Sequence, residues 1–247
     1  MLNGRLTPAR RYATQSYSIV RVKALAQAMG GTINDVLLAI CSGAIRRYLL
    51  EQNALPRKSI IASVPVALDR KPAEALGSVV GLITATLATN LADPKARVAA
   101  IIQSCRQAKM NLFDLPKWKI NIYNAIVMLP FARGRLSDGK KPIGLMGNVP
   151  ISNVPGPRQK LFFQGAEVEA LYPCAIIMQG YALNITARGY HDTINLGFLG
   201  CHDLLPHFQH LAVYTGDALS ELEKLYGLES PIMPLRAVSG ARDPIHL

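Results

Sequence analysis

The ten residues from Gly30 to Ala39, Gly-Gly-Thr-Ile-Asn-Asp-Val-Leu-Leu-Ala, restrict the fold of this chain more than any other stretch. Two glycines stop whatever element precedes them. Thr32 then stands where a helix N-cap belongs, and Asp35 follows three residues later. The Thr hydroxyl can accept from the amide at the third helical position while the Asp carboxylate bonds back to the cap. Asp35 also sets negative charge near the positive end of the helix dipole. Val36, Leu37, Ile40, Ala44, Ile45 and Tyr48 recur at helical spacing, which predicts a helix to about Gln52, where Asn53 and Pro56 stop it. Its tip presents two polar residues, Asn34 and Asp35, on an otherwise apolar helix.

Around that helix the pattern alternates between strands and helices. Residues 59–68 (SIIASVPVAL) and 79–89 (VVGLITATLAT) read as strands rich in β-branched residues. Pro65 implies a bulge, an edge or a strand end in the first, and Gly81 a bulge or close approach in the second. A charged loop over 69–76 joins them. Asp93-Pro94 is a helix start, with Val98, Ile101, Ile102 and Cys105 forming one stripe behind it. After Pro116 a further helix carries Trp118, Ile122, Tyr123, Ile126, Val127 and Leu129, followed by a basic, Gly-rich loop over 132–147. Asn-Val-Pro occurs twice, at 148–150 and 153–155, so Val149 and Val154 should be extended, and Pro155-Gly156 fits the centre of a type II turn. A short strand is expected over 167–171. Residues 181–190 and 193–199 alternate well and flank His191-Asp192, the pattern of a β-hairpin. An amphipathic helix is expected over 204–225. Near the start, residues 17–20 read as a strand and 22–29 as a helix. Residues 1–18 contain no acid and read as a basic connector, 19–227 as one lobe, and 228–247 as a flexible tail. The fold class expected is α/β, a mixed β-sheet with packed helices.

Half of the 247 residues are hydrophobic and 17% are charged, enough to bury a sizeable core and too apolar for a disordered chain. The formal net charge of +11 favours anionic partners: a membrane surface, an acyl-CoA or nucleic acid. Bases surround the apolar segment 120–131 (Arg106, Lys109, Lys117, Lys119, Arg133, Arg135, Lys140 and Lys141), which fits either a peripheral membrane or lipid-droplet surface or a solvated rim around a core helix. Nucleic acid is disfavoured, because aromatics are few and no recognition motif occurs. Cys41, Cys105, Cys174 and Cys201 are scattered without metal-ligand spacing and read as reduced, buried thiols of a cytoplasmic protein. The start lacks a secretory signal, and no segment reads as a transmembrane helix. Neither a phosphate-binding loop nor a dinucleotide fingerprint nor a nucleophile elbow is present, so no cofactor is expected.

Three ordered stretches carry a resemblance. Thr32-Ile33-Asn34-Asp35-Val36-Leu37-Leu38-Ala39 resembles the Asn-Asp motif of the bacterial wax ester synthase/diacylglycerol acyltransferase family. Ile151-Ser152-Asn153-Val154-Pro155-Gly156-Pro157 resembles its Ser-Asn-Val-Pro-Gly-Pro segment. Leu171-Tyr172-Pro173, followed by Gly180-Tyr181-Ala182-Leu183-Asn184-Ile185, resembles its Leu-Tyr-Pro…Gly…Leu-Asn-Ile segment. The resemblance covers roughly residues 2–226 and only the C-terminal half of the family. It implies one lobe of a two-lobed fold like chloramphenicol acetyltransferase and the condensation domains, with the active site in a tunnel between lobes. It also implies an N-terminal acyltransferase lobe as partner, in cis or in trans, and acyl-CoA and a lipid acceptor as substrates.

On that resemblance Asn34, Asp35, Ser152, Asn153 and Asn184 become candidates for lining the tunnel. The residue-level alternatives are a plain capping box for Asn34-Asp35, a tight turn for Ser152–Pro157, and solvent for Asn184. The family's His-His-x-x-x-Asp-Gly motif belongs to its N-terminal half, and this chain has no His-His pair. Acyl transfer from a thioester needs a general base. The five histidines are His191, His202, His207, His210 and His246; His207 and His210 read as a solvated helix face without a third metal ligand. The expected function is therefore the C-terminal lobe of an acyl-CoA-dependent O-acyltransferase, inactive alone. Two alternatives are a non-catalytic lipid- or acyl-CoA-binding module and an intact enzyme that uses His202 as its base.

Overall fold

The computed structural model describes residues 1–67, 80–114, 116, 118–120, 122, 125 and 146–228. The expected loop over 69–76, most of the helix after Pro116, the basic loop up to 145, and the tail beyond 228 lie outside the described residues, as do Lys117, Arg133, Arg135, Lys140 and Lys141.

Strand β1 (Arg10–Ser18) runs directly into helix α1 (Ile19–Ala28). Ser18 caps α1 by accepting from the Val20 amide, and Gly30 and Gly31 close it. The Gly31 amide reaches Ala26 O at 2.9 Å and the Gly30 amide reaches Gln27 O at 3.1 Å, with Gly30 at φ 63°. This is a left-handed glycine cap. Helix α2 (Ile33–Glu51) begins with the expected capping box: Thr32 Oγ1 accepts from the Asp35 amide, and Asp35 Oδ2 accepts from the Thr32 amide at 2.8 Å. The helix is buried on more than one stripe, with Leu38, Ile40, Ile45, Tyr48 and Leu49 all enclosed. Each such side chain contributes about 1.5–3 kcal/mol by leaving water.

Strands β2 (Ile61–Ala67) and β3 (Val80–Thr86) pair antiparallel, and helix α3 (Pro94–Phe113) follows, capped by Asp93, whose Oδ2 accepts from the Ala96 amide at 2.9 Å. Strand β4 (Val149–Val154) precedes a two-residue hairpin, β5 (Phe162–Phe163) and β6 (Ala166–Glu167). Strands β7 (Leu183–Tyr190) and β8 (Thr193–Cys201) form the expected hairpin about His191-Asp192, and helix α4 (His210–Leu225) follows. The six-stranded sheet has the order β1-β8-β7-β4-β2-β3, with β4 parallel to both its neighbours and the other pairs antiparallel. The sheet is therefore mixed, as expected.

The register assigns every side chain to one of two faces. Tyr17, Ile194, Leu196, Phe198, Ile185, Ala187, Ile151 and Asn153 share one face through their pairings. Tyr17 bonds to Thr215 of α4, so this face carries the helices. Helices α2 and α4 cross closely at Gly43, where a Cβ would lie 2.9 Å from that of Ala218. The bidentate Arg21–Glu223 pair, 2.6 Å at its shorter contact, ties α1 to α4. The opposite face carries Tyr12, Ser16, Asn195, Gly197, Thr186, Asn184 and Ser152. Residues 168–179 cross it as a strap without strand pairing among the described residues.

Several expectations are corrected. From Arg10 onward the basic connector is an edge strand: its helix-facing side buries Tyr17, and its exposed arginines lie where solvent reaches. Leu2 and Leu6 before it are also buried. The strand expected over 167–171 stops at Glu167, because the chain leaves its two-residue partner to become the strap. Gly81 makes no bulge, since the β2–β3 register runs unbroken through Val66↔Gly81. Pro65 meets the edge reading: it stays paired with Leu82 of β3, while β2 touches β4 only at Ala62 and Ser63, so the missing amide lies beyond that contact. Helix α4 begins at His210 rather than 204, because Pro206 and a left-handed His207 (φ 50°) hold the preceding residues in turns. Gly156 does not take the left-handed conformation of a type II turn. Glycine is required there for space, since a Cβ would fall 1.6 Å from Gly189 O.

Candidate functional site

Two of the expected site residues meet directly. Asn153 Nδ2 donates to Asn34 Oδ1 at 2.7 Å, across 119 residues of sequence. The contact forms because Asn153 falls on the helix-facing side of β4, in register with Ala187, and Asn34 is the second residue of α2. It joins the Asn-Asp and Ser-Asn-Val-Pro-Gly-Pro stretches at one corner, where the tip of α2 meets the end of β4. Behind it the turn is locked: Gly156 lies against Gly189, and the His191 amide donates to Pro157 O at 2.9 Å. Asp35 does not share this corner. Its carboxylate is 4% exposed and serves the cap, with Oδ2 also accepting from Thr32 Oγ1 at 2.7 Å. It lies beside the Cys105 thiol, which burial and then the neighbouring carboxylate push up to about 12.

Ser152 and Asn184 fall on the other face. Ser152 Oγ donates to Thr186 Oγ1 at 3.0 Å, Thr186 Oγ1 donates to Asn184 Oδ1 at 3.0 Å, and Asn184 Nδ2 donates to the strap carbonyl of Ile176 at 3.3 Å. The alternatives for Asn184 are tunnel and solvent; its amide instead grips the strap. The Leu-Tyr-Pro stretch is in the strap as well. Tyr12 Oη donates to Pro173 O at 3.0 Å, and Tyr172 Oη lies 2.9 Å from Ser16 Oγ, which donates to Asn195 Oδ1 at 2.8 Å. Pro173 O lies 1.8 Å from where a Cβ of Gly197 would stand, so only glycine fits there. Four of the five expected residues thus form two pairs on opposite sides of β4, Asn34 with Asn153 and Ser152 with Asn184, while Asp35 stands apart as the cap. Tyr12, Ser16, Thr186, Asn195 and Gly197 were not singled out from sequence. The one signal available was a glycine at 197 within an alternating strand.

The histidines stand apart from both groups. His202 Nδ1–H donates to Asp203 Oδ1 at 2.7 Å, and its Nε2 accepts from Arg11 Nη2 at 2.9 Å. Both ring nitrogens are engaged, and a guanidinium occupies the position a reacting hydroxyl would need. His207 and His210 stack with centroids 5.6 Å apart, and His210 Nδ1 lies 3.2 Å from Tyr214 Oη. No group of three His, Cys, Asp or Glu side chains suited to a metal occurs among the described residues. His191 is a turn residue beside Asp192, and His246 lies outside the described residues. The thiols are free; Cys41, Cys105 and Cys201 are buried and Cys174, on the strap, is exposed, which departs from the expectation for that residue.

A groove of about 440 Å³ between α2 and α4 contains none of the five residues. Its arginines already have partners: Arg46 holds Thr89 O, Arg97 holds Leu91 O and Ala92 O, and Arg47 pairs with Glu51 and Asp217. These contacts pin the β3–α3 connection and leave the groove a structural feature.

Residues 76–223 match the family model for the WS/DGAT C-terminal domain, and residues 1–37 match that for the wax ester synthase/diacylglycerol acyltransferase catalytic domain. A Mycobacterium tuberculosis protein bearing the name diacylglycerol O-acyltransferase is 44% identical over 225 residues, 90% of this chain and 45% of its own. The O-acyltransferase WSD of Acinetobacter baylyi is 37% identical over 232 residues, 94% of this chain and 50% of its own. The chain spans about half the length of the curated relatives it matches. Among solved structures, a wax ester synthase/diacylglycerol acyltransferase from Marinobacter aquaeolei VT8 superimposes with a TM-score of 0.79 at 36% identity, over 92% of this chain and 52% of that one. A condensation domain of the enacyloxin polyketide synthase shares the fold at a TM-score of 0.54 and 15% identity, over 98% of this chain and 44% of that one.

Proposed function

This chain belongs to the wax ester synthase/diacylglycerol acyltransferase family, and from that premise we infer that it supplies the C-terminal lobe of an acyl-CoA-dependent O-acyltransferase. The reaction moves a fatty acyl group from acyl-CoA, a substrate rather than a cofactor, to diacylglycerol or a long-chain alcohol. The acceptor hydroxyl attacks the thioester carbonyl, its proton passes to a base, and the thiolate of CoA leaves. The base is supplied by an N-terminal lobe, in cis or in trans, and the chain alone is inactive.

The observation that carries this reading is the Asn34–Asn153 bond. It brings two family motifs to one corner, while every described histidine lies elsewhere, turned to the surface or already bonded on both nitrogens. The partner lobe is supported by the exposed apolar side chains on the strap and the β5–β6 hairpin: Phe162, Phe163 and Ile176 are 66%, 71% and 75% exposed.

The test is transfer from palmitoyl-CoA to hexadecanol or diacylglycerol, by the chain alone and mixed with a His-His-bearing lobe. Activity only in the mixture is expected. Activity of the chain alone would overturn the incomplete site, and tight acyl-CoA binding without activity in either sample would favour the non-catalytic module.

A cytoplasmic location with peripheral attachment to a membrane or lipid droplet is part of the same reading. Met110, Phe113, Trp118 and Ile122 are all exposed, and Arg106, Lys109 and Lys119 are nearby. Apolar side chains flanked by bases suit an anionic lipid surface. No single helix among the described residues is long and apolar enough to cross a membrane. Unchanged binding to anionic liposomes after Trp118→Ala with Lys119→Ala would remove this surface from the reading.

A further inference from the structure

The Asn34–Asn153 contact has a property that holds whichever way its carboxamides are turned. Asn153 Nδ2 donates to Asn34 Oδ1 at 2.7 Å; with both amides rotated by half a turn, Asn34 would donate to Asn153 instead. In either arrangement one side chain keeps an NH2 group and the other keeps a carbonyl oxygen with nothing else bonded to them among the described residues. Both residues are half-buried, and these two groups are not sealed inside the protein, so a ligand can reach them. The pair therefore offers one donor and one acceptor, side by side, where α2 meets β4.

A ligand that satisfies both must bring an acceptor and a donor held a few bonds apart. A fatty chain offers neither. A single trans amide points its N–H and its C=O to opposite sides and fills only one position. Two amides in close succession fill both. The pantetheine arm of an acyl-CoA has this pattern, with two amides separated by two methylenes. We propose that Asn34 and Asn153 together read the paired amides of the pantetheine arm, and so select a carrier-borne acyl thioester over a simple one. This rests on the acyltransferase reading above. Asn34 and Asn153 then act as positioning residues, because two hydrogen bonds to the arm fix how far the thioester extends along the passage.

The experiment compares two donors with the same acyl chain, S-decanoylpantetheine and the ethyl thioester of decanoic acid, which has no amide. Each is titrated calorimetrically into the full chain, into Asn153→Leu and into Asn34→Ser, with near-ultraviolet circular dichroism confirming the fold of each variant. Two hydrogen bonds to neutral partners correspond to a preference of about tenfold or more. The natural chain is expected to favour the pantetheine ester by that factor. Both variants are expected to lose the preference while holding the ethyl ester as before. Asn34→Ser, which keeps a small polar group at the helix tip, covers the case in which Asn153→Leu does not fold. Equal affinities in the natural chain, or a preference that survives both variants, would overturn the assignment and leave the acyltransferase reading standing. Binding of neither thioester by the natural chain would likewise overturn the assignment, whereas the acyltransferase reading falls only with the transfer assay in the presence of the His-His-bearing lobe.

Discussion

Replacing Gly156 by alanine puts a methyl carbon 1.6 Å from the carbonyl oxygen of Gly189. Carbon–oxygen contacts settle near about 3.3 Å, so the Pro155–Pro157 turn and the β7–β8 hairpin must part by about 1.7 Å. The obstacle is backbone, so no side-chain rotation relieves it. Overpacking of this kind costs about 1–3 kcal/mol. The separation also endangers the His191 amide bond to Pro157 O, a further loss of about 1 kcal/mol. The expected destabilisation is about 2–4 kcal/mol by urea unfolding followed by tryptophan fluorescence or circular dichroism. Gly165 provides the contrast. It has φ 85° and nothing within 4 Å of its Cβ direction, so its constraint is conformational rather than spatial. Gly165→Asn should lose less than about 1 kcal/mol, since asparagine tolerates the left-handed region. Gly156→Asn should be as damaging as the alanine. A loss below about 1 kcal/mol for Gly156→Ala, or equal losses at the two glycines, would refute the reasoning.

Thr32→Ala removes the capping hydroxyl and leaves the buried Asp35 carboxylate with one fewer donor, so a loss of about 1–2 kcal/mol is expected in thermal or urea unfolding, with Thr32→Ser restoring most of it. Arg21→Ala should cost about 3–5 kcal/mol, because Glu223, 3% exposed at its side chain, would keep a buried charge without its partner, and Arg21→Ala with Glu223→Leu should recover part of the loss. Burial pushes the Cys41 and Cys105 thiols and the Tyr48 phenol up to about 12, so the folded chain holds protons that the unfolded chain has released; stability should fall as pH rises from about 9 towards 12, as read by urea midpoints across that range. The same burial makes Cys174 the thiol that reacts rapidly with Ellman's reagent at pH 8, while Cys41 and Cys105 wait for unfolding.

Features set by neighbours in sequence were readable in advance. The Thr32–Asp35 box, the Asp93 cap with Pro94 behind it and the His191-Asp192 hairpin each depend on residues within a few positions of one another, and each formed as expected. Features set by distant backbone were not. Gly156 suggested a turn type because Pro-Gly has a local meaning, whereas its actual constraint comes from Gly189. Strand β1 was hidden by its arginines, since an edge strand with one wet side tolerates a polar pattern that resembles a linker. At the site, the family motifs marked Asn34 and Asn153 separately, but their bond required the register of β4 against β7 and the placement of α2. The grouping of Ser152 with Thr186 and Asn184 on the other face follows from the same register. No one-dimensional pattern distinguishes an asparagine that faces a ligand from one that clasps a crossing segment.

That crossing segment is gripped by its backbone oxygens. Tyr12 and Asn184 donate to the carbonyls of Pro173 and Ile176, and Gly197 leaves room for one of them. Such grips are blind to what residues 174–178 carry outward. Mutational drift can therefore reface this part of the molecule, trading Cys174, Ile176 or Met178 for other groups, while the rail beneath stays fastened. Diversity in whatever passes over this surface can arise without renegotiating the fold.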